Sequence, residues 1–385
     1  MGLALIVEGW RFIPHSYAIV NQWQLLALSR RSVQLKVIDA PFFRPWQTQS
    51  GLFDATDEHA LRALAVAQPG EIADVTLRIF APFTFSPATS RLTAVFATLE
   101  EQVIRRHQLT DAGEYQRLQR SIAAADIKAV TPSRWSAAGF YQAGFTSEQV
   151  LIVPHGVDVA TFRPMRDLRN QVRSGLGIRD SDFAFLSVGA MTGNKGIDLL
   201  LRGFAEICRR FPEARLVLKG LDSLYGSRDF LAKYLSILPA RKRQQVADRI
   251  SYLGGSVSHR EMAALYQAAD AFVSPYRAEG FNLPVLEASA CGLPVICTNG
   301  GPTDDFVTDQ FARRIESRTT FRDVEGGQAS RLEPSVDHLI VLMASVIEDA
   351  DWRQQAEQAG PFHVAANYTW DHAVDTLLRS LFSAS

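Results

Sequence analysis

Glu279-Gly280-Phe281-Asn282-Leu283-Pro284-Val285-Leu286-Glu287 follows directly on an apolar run, Ala271-Phe272-Val273-Ser274-Pro275. The run predicts a short buried strand. Pro284 suits the first turn of a helix, where its missing N–H would have no intrahelical partner. The amides around Phe281 to Leu283 then stand at a helix N-terminus, where the dipole favours an anion. Glu279 falls in the loop before that end and Glu287 about one turn inside the helix. An anion bound at the amides would have a carboxylate on each side, and carboxylates accept hydrogen bonds from hydroxyls. A diphosphate carrying a sugar at each end has that shape. The competing reading is a surface turn with two solvated carboxylates, the usual fate of Glu.

Working outward, short apolar runs alternate with helix-like segments, the pattern of βαβ units and parallel sheets buried on both faces. Strands are expected at 3–7, 33–39, 77–80, 93–99, 127–131 and 151–153, then at 184–188, 215–218, 250–253, 271–274 and 294–297. Ile197, Leu200, Leu201, Phe204 and Cys208 recur at helical spacing after Gly196, and another helix is expected over 260–268. Residues 163–182 are charged and glycine-containing, without a strand pattern, so the domain junction is placed near 170. A last helix, Trp370 to Phe382, carries Ala373, Leu377, Leu378 and Leu381 on one stripe.

The chain has 385 residues, 47% apolar and 21% charged, with a formal net charge of −1. That length suits two domains, and that balance argues against a nucleic-acid partner. The three cysteines, Cys208, Cys291 and Cys297, give no disulfide framework and read as reduced thiols of a cytoplasmic protein. No run has the roughly 18 apolar residues of a membrane span.

The Glu-x7-Glu stretch, with Ala288-Ser289-Ala290-Cys291-Gly292-Leu293-Pro294-Val295-Ile296 after it, resembles the signature of retaining GT-B glycosyltransferases of family 4 (glycosyl transferases group 1). Pro154-His155-Gly156-Val157-Asp158 is similar to the segment that leads into that family's second domain. Ser187-Val188-Gly189 with Asn194-Lys195-Gly196-Ile197-Asp198 resembles its first strand–loop–helix. Leu253-Gly254, with Glu261 through Ala269-Asp270, resembles its nucleotide-base region. The resemblance covers roughly 127–310, and the first 120 residues follow it only in outline.

The resemblance implies an α/β fold of two Rossmann-like domains facing a cleft: an acceptor domain at 1–170, a sugar-nucleotide domain at 171–367, and a helix at 368–385 crossing back to the first. It implies hexosyl transfer with retention, by front-face attack, from a nucleotide-diphosphate sugar (UDP- or GDP-linked) to a hydroxyl of a glycan, lipid-linked or protein-linked acceptor. Glu279 would bind the donor sugar's hydroxyls, Glu287 the ribose, and the backbone of Gly280, Phe281, Asn282 and Leu283 the diphosphate, with Gly189 beside it. Lys195 matches the family's phosphate-binding lysine. A cation is electrostatically poor at a helix start, so its presence there itself suggests a bound anion. Relatives commonly carry Arg after the glycine matching Gly189; this chain has Ala190. Lys219 or Arg277 would have to supply that charge, and each also reads as a solvated cation.

The first loop, Glu8 to Ser16, is bulky where relatives have a glycine-rich one. Trp10, Arg11 and His15 are therefore candidates for acceptor contact, against ordinary packing. Glu100 reads as the start of a helix. His155 reads as structural, with Gly156 supplying a permissive backbone. Arg105, Arg106, Arg117 and Arg120 could form a small basic patch, but charges nearly balance over 1–165, leaving at most a weak peripheral membrane contact. No cofactor or metal is expected, because helix dipoles and cations hold the diphosphate in GT-B enzymes. Three alternatives remain: a phosphorylase or sucrose-synthase-like enzyme on the same fold, a nonhydrolysing sugar-nucleotide epimerase, and a catalytically silent nucleotide-sugar-binding subunit.

Overall fold

The computed structural model describes residues 3–123 and 126–382. It divides into two compact units. The first draws on Met1–Asp158, Phe321–Ser330 and Tyr368–Ser385; the second on Val159–Thr320 and Arg331–Asn367.

The first unit holds β1 (Leu3–Gly9), β2 (Val33–Asp39), β3 (Val75–Ile79), β4 (Leu92–Phe96), β5 (Ile127–Thr131) and β6 (Val150–Ile152). They form one parallel sheet in the order β2-β1-β3-β4-β5-β6. The second unit holds β7 (Phe183–Val188), β8 (Ala214–Lys219), β9 (Ile250–Leu253), β10 (Ala271–Ser274), β11 (Val295–Thr298) and β12 (Ala312–Ile315). Its parallel order is β12-β11-β10-β7-β8-β9. Chain direction along this sheet reverses between β7 and β10. In open α/β sheets the ligand crevice lies outside the carboxyl ends of the strands at such a switch point.

The helix Ile197–Arg210 buries Ile197, Leu200, Leu201, Phe204 and Cys208 against this sheet, the stripe expected from their spacing. All three cysteines are buried and unbridged. Trp370–Phe382 is a helix of the first unit; Arg31, just past the end of the helix Ser16–Ser29, pairs with its Asp371 (2.9 Å) and Asp375 (2.8 Å).

Four features depart from the sequence reading. The opening segment of the first unit runs to Asp158, and residues 166–175, read from sequence as part of a junction without a strand pattern, form a helix of the second unit. Its charged face is the anchor: Arg169 pairs with Asp270 at 2.5 Å, and buried Arg173 with the same carboxylate at 3.1 Å. Second, a two-stranded hairpin, β13 (Ser317–Val324) and β14 (Gly327–Pro334), follows β12. Third, Glu100 starts no helix; it lies in a turn, and its carbonyl accepts the Trp135 indole N–H at 2.9 Å. Fourth, Gly156 is required by closeness rather than backbone freedom. A Cβ there would sit 2.2 Å from Trp370 N, where Val157 N donates to Tyr368 O at 2.8 Å. His155 is buried between Phe96 and Trp370, and burial pushes its imidazole down to about 3.

Among the described residues, no helix is long and apolar enough to cross a membrane, and no group of three or more His, Cys, Asp or Glu side chains is placed to hold a metal ion.

Candidate functional site

The switch point of the second sheet collects two loops. One leaves β7 at Val188 and turns through Gly193–Lys195 into the helix Ile197–Arg210. The other leaves β10 at Ser274 and reaches the helix Leu283–Ala290, with Pro284 in its first turn. The loops run side by side: the N–H groups of Arg277 and Ala278 both donate to Asn194 O, at 2.7 and 3.2 Å. Gly196 makes this approach feasible. Its φ is +70°, and a Cβ would lie 1.9 Å from Pro275 O.

At their meeting, Lys195 Nζ contacts Glu279 Oε1 at 2.5 Å, with the carboxylate side chain only 9% exposed. Residues 84 positions apart in sequence thus form one ion pair at the carboxyl ends of β7 and β10. The lysine stem lies beside Gly189, where a Cβ would be in ordinary contact 3.7 Å from Lys195 Cδ; it is the φ of +147° that favours glycine there.

Asn282 caps the helix Leu283–Ala290 in a left-handed conformation, φ 76°, uncommon for a non-glycine residue and a mark of imposed local geometry. Its side-chain amide donates to Ser274 Oγ at 2.9 Å, and Phe281 stacks on Phe306 at 4.7 Å. The loop therefore presents the first-turn amides, intrinsically without intrahelical acceptors, from a fixed backbone. Gly280 adjoins Glu279 in the same loop.

Glu287 lies deeper in that helix. Tyr266 donates its hydroxyl to Glu287 Oε2 at 2.8 Å. Burial pushes the carboxyl from 4.5 up to about 7, with the Tyr266 hydrogen bond pulling the other way. The folded protein therefore holds this proton more tightly than the unfolded chain. Its contribution to stability falls as pH rises from about 4.5 to about 7 and stays reduced above that. Glu287→Gln is expected to flatten this part of the stability–pH profile and to raise the melting temperature at pH 8 relative to the parent. A parallel, undisplaced profile in a thermal melt series would contradict the assignment.

The two cations considered as substitutes for the arginine that Ala190 replaces are both engaged. Arg277 pairs with Asp198 at 2.6 Å and Glu333 at 3.0 Å. Lys219 is buried and donates to Gly220 O at 2.5 Å and Gly255 O at 2.7 Å; burial lowers its ammonium to about 8. It steadies the turns after β8 and β9 and does not reach the Lys195–Glu279 pair through any of these bonds. Tyr266, Asp198 and Glu333 had not been singled out. Asp198 could have been, since it lies in the quoted Lys195 motif; Glu333 has no sequence signal.

In the first unit, the loop after β1 is packed. Trp10 is 1% exposed; its indole N–H donates to Pro41 O at 3.1 Å and its ring meets Phe42 at 4.7 Å and His15 at 5.0 Å. Arg11 is held by Asp39 at 2.7 Å and by Leu61 O at 2.7 Å. His15 caps the helix Ser16–Ser29 by accepting the Tyr17 N–H at 3.1 Å, and burial pushes its imidazole down to about 4. These bonds account for the three residues as scaffolding of the loop. The half-exposed aromatic ring nearby is Phe43. Three of the four basic side chains of the proposed patch are paired, Arg106 with Glu325, Arg105 with Glu101 and Arg117 with Asp111.

Residues 169–321 match the family described as glycosyl transferases group 1, a span that contains Lys195, Glu279 and Glu287. A D-inositol 3-phosphate glycosyltransferase of Segniliparus rotundus is 28% identical over 237 residues, 62% of this chain and 47% of that protein. The chain spans about half the length of the curated relatives it matches. Among solved structures, a sucrose-phosphate synthase from Thermosynechococcus elongatus aligns over 100% of both chains, with a TM-score of 0.69 and 18% identity. Anabaena HepE, solved in complex with UDP and glucose, aligns over 99% of each chain, with a TM-score of 0.70 and 15% identity. At those identities the likeness is one of fold. The chain is thus similar to glycosyl transferases group 1 over residues 169–321, and its two-domain fold is that of GT-B proteins.

Proposed function

We propose that this protein is a retaining glycosyltransferase that moves a hexose from a nucleotide-diphosphate sugar, UDP- or GDP-linked, to a hydroxyl of a glycan, lipid-linked or protein-linked acceptor. The observation that carries this reading is the Lys195–Glu279 pair at the β7/β10 switch point, beside the N-terminus of the helix Leu283–Ala290. The diphosphate lies on the amides of Phe281 to Leu283 and on Lys195. A sugar hydroxyl donates to Glu279, and the ribose hydroxyls donate to Glu287. The glycosyltransferase activity of the Segniliparus relative and the UDP and glucose bound to HepE support the donor class. Acceptor recognition is assigned to the first unit.

The acceptor hydroxyl attacks the anomeric carbon from the face that the diphosphate leaves. The carbon–oxygen bond to phosphate breaks as the new glycosidic bond forms, and the hydroxyl proton passes to a phosphate oxygen. Lys195 offsets charge growing on the leaving group, a fixed electrostatic contribution. The rest is positioning.

The test is a thermal-shift panel of UDP, GDP, ADP and TDP with their hexose conjugates. A ligand at 100 times its dissociation constant adds about 2.7 kcal/mol of stability. A shift confined to one nucleotide supports the donor site, and no shift with any of them overturns it. Ala190, with both substitute cations engaged elsewhere, favours one second reading: a subunit that binds donor without turnover. It is distinguished by a shift without release of hexose to any acceptor or to water.

A further inference from the structure

Arg277 stands two positions before Glu279, and all of its donors are used. A guanidinium has five N–H groups in a planar fork. Nη1 donates to Asp198 Oδ1 at 2.6 Å and to Gly193 O at 3.0 Å. Nη2 donates to Asp198 Oδ2 at 3.0 Å and to Glu333 Oε1 at 3.2 Å. Nε donates to Glu333 Oε2 at 3.0 Å. Two carboxylates are thus gripped in bidentate fashion, and the fifth donor holds the carbonyl of the residue that begins the Lys195 turn.

The backbone of the same residue joins three segments. Arg277 N donates to Asn194 O at 2.7 Å, and Arg277 O accepts from Leu332 N at 2.8 Å. The segments are the turn that carries Lys195, the loop that carries Glu279, and β14. An exposed ion pair is worth little, but this guanidinium is only 13% exposed. Its bonds also run to backbone as well as side chains, so they fix chain positions and not merely charges.

We infer that Arg277 is a positioning residue: it sets the Lys195 turn against the Glu279 loop, and Glu333 of the β13/β14 hairpin is part of the same device. The inference rests on the proposed function for the role of the Lys195–Glu279 pair. It removes Arg277 from the diphosphate ligands, since no guanidinium donor remains for phosphate. It also gives the hairpin base a place in donor handling.

The substitutions are Glu333→Gln, Arg277→Lys and Arg277→Met. Glu333 borders an open cavity of about 320 Å³, with Tyr234, Thr320 and Arg331 on its wall, so Glu333→Gln is expected to leave the melting temperature almost unchanged. The first readout needs no substrate. Lysines are acetylated with an N-hydroxysuccinimide ester and the rate at Lys195 is measured by mass spectrometry relative to Lys233 and Lys242. With the turn released, relative labelling of Lys195 is expected to rise by about tenfold, as local opening becomes easier. The second readout is turnover of the nucleotide-hexose selected by the thermal-shift panel. Arg277→Met is expected to lose about 100-fold in kcat, the scale of an ångström-level misplacement. Arg277→Lys is expected not to restore it, because three donors on a flexible stem cannot replace the fork.

Unchanged relative labelling of Lys195 in Glu333→Gln and Arg277→Met overturns the inference; if Arg277→Met does not fold, Glu333→Gln decides. If labelling rises but the wild-type protein turns over no nucleotide-hexose, the positioning role stands and the glycosyltransferase reading falls.

Discussion

Replacing Glu279 by Gln is expected to lower hexosyl turnover by about 100-fold or more while leaving nucleoside-diphosphate affinity within a few fold. Two losses combine. A hydrogen bond to a charged group contributes about 1.5–3 kcal/mol, and the amide is a weaker acceptor for a sugar hydroxyl than the carboxylate. Lys195 also loses the partner that holds it at 2.5 Å, and a misplaced cation stabilises the departing phosphate less well. In the proposed site the nucleotide end is held elsewhere, by Glu287 and the helix amides, so UDP or GDP should still bind. Steady-state transfer kinetics with parallel titration of the diphosphate would check this. Turnover at the wild-type level would remove Glu279 from the mechanism, and a collapse of diphosphate affinity would move it to the nucleotide end.

Arg173→Met is expected to destabilise the second unit by about 3–5 kcal/mol, the usual consequence of removing one partner of a buried ion pair. Arg173 is 1% exposed. It donates to Ala268 O at 2.9 Å, Arg179 O at 2.6 Å, Asp182 O at 2.5 Å and Asp270 Oδ2 at 3.1 Å. Methionine fills much of the volume and offers none of those bonds, leaving three carbonyls to find new donors. For 150–250 residues each kcal/mol moves the melting temperature by about 2–4 °C, so calorimetry should show a drop of roughly 6–20 °C. Diphosphate binding should persist below the transition, because Arg173 makes none of its bonds to the loops that hold Lys195 and Glu279. A shift of less than about 2 °C would contradict the account of buried pairing.

What could be read from the sequence follows from what each segment buries. Strands β5, β9 and β10 lie at the expected residues because Ile127–Thr131, Ile250–Leu253 and Ala271–Ser274 are short apolar runs inside parallel sheets. The helix Trp370–Phe382 was legible through its stripe of Ala373, Leu377 and Leu381. The helix Arg166–Gly175 was not, because its anchoring face is Arg169 and Arg173, and a guanidinium bound to Asp270 carries no apolar periodicity. The hairpin escaped for a related reason: β13 is almost wholly exposed, with Arg318, Thr319, Thr320 and Arg322 along it, and nothing alternates.

The site divides in the same way. Lys195 and Glu279 were legible as residue types beside helix starts, and the structure brings them together. Asp198 and Glu333 lie 79 and 56 positions from Arg277, and no local pattern announces such a convergence. The packing of Trp10 on Pro41 and Phe42 carries no sequence signal, because an aromatic residue in a loop after a strand has the same composition whether it faces a ligand or a neighbouring loop.

The chain passes from one unit to the other four times, at 158/159, 320/321, 330/331 and 367/368. Neither unit is therefore a contiguous, transplantable module. A recombinant fragment stopping at residue 158 would lack both the hairpin tip and the last helix, and would leave the Arg31 guanidinium without its aspartates. A chimaera that borrowed the donor half of a relative would need compatible joins at all four points. A single-crossover chimaera joined at 158/159 alone would take the hairpin tip and the last helix from the other parent, so its first unit would be assembled from two sequences.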